Sequence, residues 1–153
     1  MHKLFAVSIV AALVIGLTIT YYYPSLNTPA NQPVAAVTPG FSCVKPPGYF
    51  LITADLNGYN DSVAHLEKSP NTPWPVIIVN RGQTVNVIVC DDDDYSPHGF
   101  AIQYYFEQGT ALMPHQTFRI SFTAYEDGTF LIFCTIFCPV HPYMISGQLI
   151  VTG

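Results

Sequence analysis

Apolar positions follow two regimes along the chain. Leu4 to Tyr23 is an unbroken run of twenty uncharged residues behind Met1-His2-Lys3. That is about the length a helix needs to cross a bilayer. From Tyr49 onward the apolar residues come in short runs divided by turn signals, and no long segment carries a helical period. Tyr49 to Leu56 ends at Asn57-Gly58, while Pro75 to Asn80 and Thr84 to Cys90 flank Asn80-Arg81-Gly82, a hairpin-like punctuation. Phe100 to Tyr104, Gln116 to Thr123, Thr129 to Cys134 and Gln148 to Thr152 complete the series. The clearest alternation is in Gln116 to Thr123, with Phe118, Ile120 and Phe122 on one face and Thr117, Arg119, Ser121 and Thr123 on the other. Seven short strands of this kind predict an all-β, antiparallel sandwich or barrel with Greek-key connections. Asn57 to Pro73 reads either as a loop or as a short irregular strand pair.

The first run sets the expected location. Lys3 on the short side places the N-terminus in the cytoplasm, and Tyr21-Tyr22-Tyr23 would lie at the membrane interface. No Ala-x-Ala exit follows the run, and it exceeds the usual apolar core of a signal peptide, so an uncleaved anchor is expected. Pro24 to Pro47 is rich in Pro, Ala, Thr and Asn, with Lys45 its only charge, and reads as an extended linker. The expected organisation is an anchor over 1–23, a linker over 24–47 and a globular domain over 48–153. The domain would face outside a plasma membrane crossed once.

Charge narrows the partners. Asp, Glu, Lys and Arg make up 10% of the 153 residues, against about 25% in ordinary soluble proteins. The net charge is −5, and four of the acids are Asp91-Asp92-Asp93-Asp94. A nucleic-acid partner wants a basic face and is not expected. The acidic run reads as a solvated turn, with an acidic docking patch for a basic donor as the other reading. Cys43 and Cys90 have no ligand company, and a structural disulfide between them is permitted outside the cell. His2, His65 and His115 read as solvent histidines.

The chemistry is concentrated in Cys134-Thr-Ile-Phe-Cys138-Pro-Val-His141-Pro-Tyr-Met144. Thiolate and thioether favour copper(I), and imidazole serves both oxidation states, so this set suits copper above other metals. Zinc accepts Cys and His but has no use for the Met. The Cys-x2-His-x2-Met half matches a mononuclear blue-copper loop, while the additional Cys134 provides a second thiolate that can bridge two ions. A simple Cys134–Cys138 disulfide is the competing bland reading. The loop lies between the last two strands, and a rigid sandwich brings loops from distant sequence to one end. His98, at the head of the Phe100 to Tyr104 strand, is therefore the candidate further ligand.

Taken together, His98-Gly-Phe, Gln116-Thr-Phe-Arg-Ile-Ser-Phe-Thr-Ala, Glu126-Asp-Gly-Thr-Phe, and then Cys134, Cys138, His141 and Met144 resemble a known family. It is the cupredoxin domain that carries the CuA centre in subunit II of haem-copper terminal oxidases and in nitrous oxide reductase. The chain is much too short for the catalytic domain of the latter. With its single N-terminal helix it is similar to the short subunit II of prokaryotic, especially archaeal, oxidases. The resemblance implies two copper ions bridged by Cys134 and Cys138 and capped by His98 and His141. Met144 and the main-chain carbonyl of Ile136 would be the weak axial ligands. It further implies a subunit I partner that holds haem, and an external one-electron donor such as cytochrome c or a small copper protein. The chain itself would have no catalytic residue and would be an oxidoreductase only within the complex. Trp74 and Tyr59 read as core or edge aromatics, and Tyr59 also stands near an aromatic electron-entry position of the family. Two departures stand out. Cys138-Pro-Val-His141 has two intervening residues where the family usually has three, which keeps open a free-standing, membrane-tethered blue-copper carrier with one copper on His98, Cys138, His141 and Met144. Ile136 replaces a frequent Glu, so no magnesium ligand is expected from this chain.

Overall fold

The computed structural model describes residues 33–38, 42–60 and 73–153. The anchor reading over 1–23 lies outside them, as do 24–32 and 39–41 of the linker reading, and 61–72 with His65. Among the described residues no helix is long and apolar enough to cross a membrane.

Ten strands are described: β1 (Val34–Thr38), β2 (Phe50–Asp55), β3 (Gly58–Asn60), β4 (Val76–Asn80), β5 (Thr84–Asp91), β6 (His98–Ile102), β7 (Phe106–Leu112), β8 (Thr117–Thr123), β9 (Gly128–Phe133) and β10 (Gly147–Thr152). They form two five-stranded sheets, ordered β1-β8-β5-β2-β3 and β4-β10-β9-β6-β7. The seven expected strands are all present, with ends shifted by one or two residues. Three more were not legible. β1 arises inside the stretch read as linker and pairs with β8, Val34 opposite Ser121. Its residues Val34 to Ala36 are exposed, so along them the strand is held by backbone pairing and not by an apolar face. β7 carries Glu107, Gln108 and Gly109 along the outer edge of its sheet, and β3 is only three residues long.

Two expectations about connectivity are corrected. The sandwich is mixed, not antiparallel: β2 runs parallel to β5, and β4 parallel to β10. Asn80-Arg81-Gly82 does not close a hairpin, because β4 and β5 belong to different sheets. Ile77 and Val79 on β4 and Val85, Val87 and Val89 on β5 all enter the same core. Turning the chain over the end of the sandwich buries both faces at once, which a flat hairpin could not do. The arch is tied to its surroundings by Arg81 N–H to Thr152 O and Gly82 N–H to Ala124 O, 2.8 and 2.6 Å.

The core between the sheets is apolar. Phe118, Ile120 and Phe122 are buried as their alternation predicts, and Phe118 packs against the rings of Phe100 and Phe106, centroids 6.3 and 5.4 Å away. A smaller cluster of Leu51, Ile88 and Cys90 lies on the other face of the first sheet, with Cys43 and Tyr49 packed on it. The pairing that matters for the site is β6 against β9, Ala101 opposite Phe133. It sets the start of β6 beside the end of β9.

Candidate metal centre

His98 opens β6, and Cys134 is the first residue beyond β9. Continuing their register places Gly99 beside Thr135, and the approach leaves no room for a side chain. A Cβ on Gly99 would stand 2.5 Å from Thr135 N and 2.8 Å from Ile136 N. The same closeness lets Gly99 N–H donate to Cys134 Sγ at 3.1 Å. The loop is closed on itself by Cys134 N–H to Met144 O at 2.8 Å, by His141 N–H to Cys138 O at 3.1 Å, and by a single 3-10 turn over His141–Tyr143. Pro142 suits that turn because it needs no backbone donor there.

These constraints bring all six sequence-predicted site residues together. One nitrogen of His98 and the sulfurs of Cys134 and Cys138 lie within 4.8 Å of one another. Cys138 Sγ is 3.6 Å from Met144 Sδ. The Ile136 carbonyl accepts from Cys134 Sγ at 3.0 Å and lies 2.9 Å from His141 Nδ1. His98, Cys134, Cys138 and Met144 are buried, whereas His141 and Ile136 are half-buried and form the solvent side. Both cysteines are free thiols, not a disulfide.

Behind His98 stands a carboxylate relay. His98 Nε2 meets Asp93 Oδ2 at 3.2 Å, and Asp93 Oδ1 accepts from Tyr95 N–H and Ser96 N–H at 2.8 and 3.1 Å. Asp91 accepts from Asp93 N–H at 3.1 Å and from His98 N–H at 3.2 Å. The run Asp91 to Asp94 is therefore not a solvated turn. Asp91 and Asp93 are buried, while Asp92 and Asp94 face solvent, and Asp94 reaches the exposed His115 at 3.2 Å.

The electrostatics follow this geometry. Burial raises the Asp91 pKa against the N–H groups of Asp93 and His98, which favour the charged form. For Asp93, burial also works against the charge, but the N–H donors of Tyr95 and Ser96 and the His98 ring win and hold its pKa low. Burial draws the His98 pKa down, yet the Cys134 thiol and the two carboxylates outweigh it, and the net shift is upward. The thiols are pushed apart. Burial raises the Cys134 pKa, but His98 and the Gly99 N–H overcome it and bring it to about 7. Cys138 is raised to about 11, first by burial and then by the Cys134 charge.

The donor set fits a soft, redox-active metal. His98 Nδ1 is buried without a hydrogen-bond partner, an arrangement that costs stability unless something takes up the lone pair. Thiolate, thioether and imidazole beside it are the donors that copper prefers. A carboxylate on the far nitrogen of a ligating histidine fixes ring orientation and tautomer.

Three residues of the site were not singled out from sequence. Asp93 was read only as part of an acidic run; the signal was its even spacing from Asp91, which continues the inward face of β5. Gly99 was noted only as part of a motif. Phe137, between the two cysteines, is 92% exposed and lies 5.8 Å from the His141 ring, centroid to centroid. Tyr59, read as an electron-entry candidate, is fully buried and donates its hydroxyl to Gly99 O. A donor protein cannot touch it.

No protein-family model matches the sequence, and no curated protein matches it. Solved structures do. Dithionite-reduced auracyanin from the photosynthetic bacterium Roseiflexus castenholzii aligns at 20% identity and a TM-score of 0.51, over 69% of this chain and 98% of its own. Fet3p, a multicopper oxidase that functions in iron import, aligns at 19% and 0.53 over 69% of this chain, which spans only 23% of Fet3p. A haem-copper terminal oxidase dimer aligns at 16% over 96% of this chain and 95% of its own, but at 0.49 the overlap is too loose to bear on fold or function. At these identities the likeness is one of fold: an all-β, cupredoxin-like sandwich.

Proposed function

We propose that this chain is a copper-binding electron-transfer protein, and specifically the CuA-bearing subunit II of a haem-copper terminal oxidase. The observation that carries the copper reading is the convergence of His98, Cys134 and Cys138 donors within 4.8 Å, with Met144, His141 and the Ile136 carbonyl against them and His98 Nδ1 unpartnered. The subunit assignment rests on the order of sequence motifs and on the second thiol, Cys134, which a mononuclear blue site does not need. In this reading residues 1–23 anchor the domain in a plasma membrane, with the copper domain outside. The chain takes single electrons from an external donor and delivers them to haem in subunit I.

Bound copper supplies a one-electron redox couple. The chain's own residues do the rest. Cys134 and Cys138 would provide the thiolates, His98 and His141 the imidazoles, and Met144 Sδ and the Ile136 carbonyl the weaker donors. Asp93 holds His98 from behind, and the Cys134–Met144 backbone bond closes the ligand loop on itself. Buried Met144, Cys134 and Cys138 keep water from the sulfurs. The exposed Phe137 ring beside His141 offers an apolar approach for a donor.

A second reading, a free-standing blue-copper carrier, is favoured by one feature: the two-residue spacing of Cys138 and His141, with Met144 Sδ 3.6 Å from Cys138 Sγ. The test is to load the full chain with copper, count ions per chain and record the electron paramagnetic resonance spectrum. A fragment begun at Ala36 would cut through β1 and is unsuitable. Two coppers with an electron shared over both nuclei, lost in Cys134→Ser, are expected. One copper with a single-nucleus signal that survives Cys134→Ser would establish the second reading instead.

A further inference from the structure

Outside the metal centre, one pair of nucleophilic side chains is placed together by the fold. On β5, Val85, Val87 and Val89 fill the interior of the sandwich, and Ile88 and Cys90 point to the opposite face. Cys90 is fully buried there, with Thr53 of β2 and Thr117 of β8 as its lateral neighbours. The cover comes from the stretch that precedes β2. Cys43 and Tyr49 pack onto Leu51, Ile88 and Cys90. Cys43 Sγ lies 3.6 Å from Thr53 Oγ1, the residue directly across from Cys90. Residues forty-seven apart in sequence are thus packed into one cluster. Among the described residues, no third His, Cys, Asp or Glu joins them in a metal-binding group.

We propose that Cys43 and Cys90 are joined by a disulfide in the exported protein, which ties the covering segment to β5. Both exist here as free thiols, so the bond requires an oxidant, and the class that fits is a protein disulfide acting by thiol–disulfide exchange. Cys43 is the accessible partner, half-buried where Cys90 is sealed. The neighbouring Cys90 thiol brings its pKa down to about 7 despite burial, which gives a substantial thiolate fraction near neutral pH. The neighbouring Cys43 thiol, with burial next, drives Cys90 well above the ordinary thiol range. The order of events follows. Cys43 thiolate attacks one sulfur of the oxidant, whose S–S bond breaks and releases a thiolate. Cys90, deprotonated by that departing thiolate, then attacks Cys43 Sγ and displaces the second oxidant sulfur. The oxidant ends as a dithiol, holding two electrons and the two protons that Cys43 and Cys90 gave up.

The bond would reach the metal centre indirectly. Cys90 is the residue before Asp91, whose carboxylate accepts the His98 N–H. Clamping β5 at Cys90 stiffens the end of the strand that positions His98.

The test needs no copper, so its outcome is independent of the metal reading. The full chain is produced in an exporting host, and its thiols are alkylated before any reduction. It is then digested, and the peptides are weighed. A Cys43 peptide joined to a Cys90 peptide, separated by reductant, is expected. Both peptides found alkylated without prior reduction, or either one joined to Cys134 or Cys138, overturns the proposal. A second measurement guards against artefacts of digestion. Thermal unfolding of Cys43→Ser should begin several degrees below wild type, and reductant should bring wild type down to match it. A wild-type midpoint that reductant leaves unmoved also overturns it.

Discussion

At His98 a buried imidazole is held on one nitrogen by Asp93 and left open on the other, and the residue-scale predictions come from that asymmetry. Asp93→Asn keeps the shape but removes the charge that makes the ring a better donor. Copper affinity is expected to fall about 10- to 100-fold, as measured by competition against a chelator, with the fold unchanged by circular dichroism. The thiols make a separate prediction. In the copper-free protein one proton leaves at about 7, from Cys134, and the second only at about 11, from Cys138. In copper-free protein carrying Cys43→Ser, which removes the other thiol near 7, thiolate absorbance followed against pH should show these two steps, and adding Cys134→Ser should remove the lower. The sign is set by opposite causes. His98 and Gly99 N–H stabilise the first thiolate against its burial, whereas burial and then the Cys134 charge oppose the second. Ligand identity was legible in sequence because Cys, His and Met carry their chemistry wherever they stand. The role of Asp93 was not, because burial decides whether a carboxylate is a surface charge or a brace.

Among the elements, the β6–β9 pair does most to assemble the site. Gly99 is required by space and not by backbone conformation, since a Cβ would press on the backbone nitrogens of Thr135 and Ile136. Backbone cannot yield as a flexible side chain can. Gly99→Ala is expected to destabilise the protein by about 1–3 kcal/mol or more, seen as a lowered thermal midpoint, and to weaken copper binding as the strands separate. The strands with alternating apolar residues, such as β8, were readable because one of their faces is buried. β1 and β7 were not, since Val34 to Ala36 on one and Glu107, Gln108 and Ala111 on the other are exposed at the sheet edges and leave no apolar alternation to read.

For the molecule as a whole, a ligand that binds only the folded state must stabilise it. Copper at about 1,000 times its dissociation constant should add about 4 kcal/mol, and a copper titration followed by calorimetry should show the midpoint rising. No rise would mean that the buried donor cluster does not bind the metal. The sequence alone determined the all-β class, seven of the strands and the soft donor set in the loop from Cys134 to Met144, because alternation and ligand chemistry are local properties. Only the tertiary structure decided that Asn80-Arg81-Gly82 arches between sheets, that two strand pairs run parallel, and that Asp93 braces His98. It alone brought Cys43 onto Cys90. Each of these depends on which faces are buried against each other, and burial is a property of the packed chain, not of any segment within it.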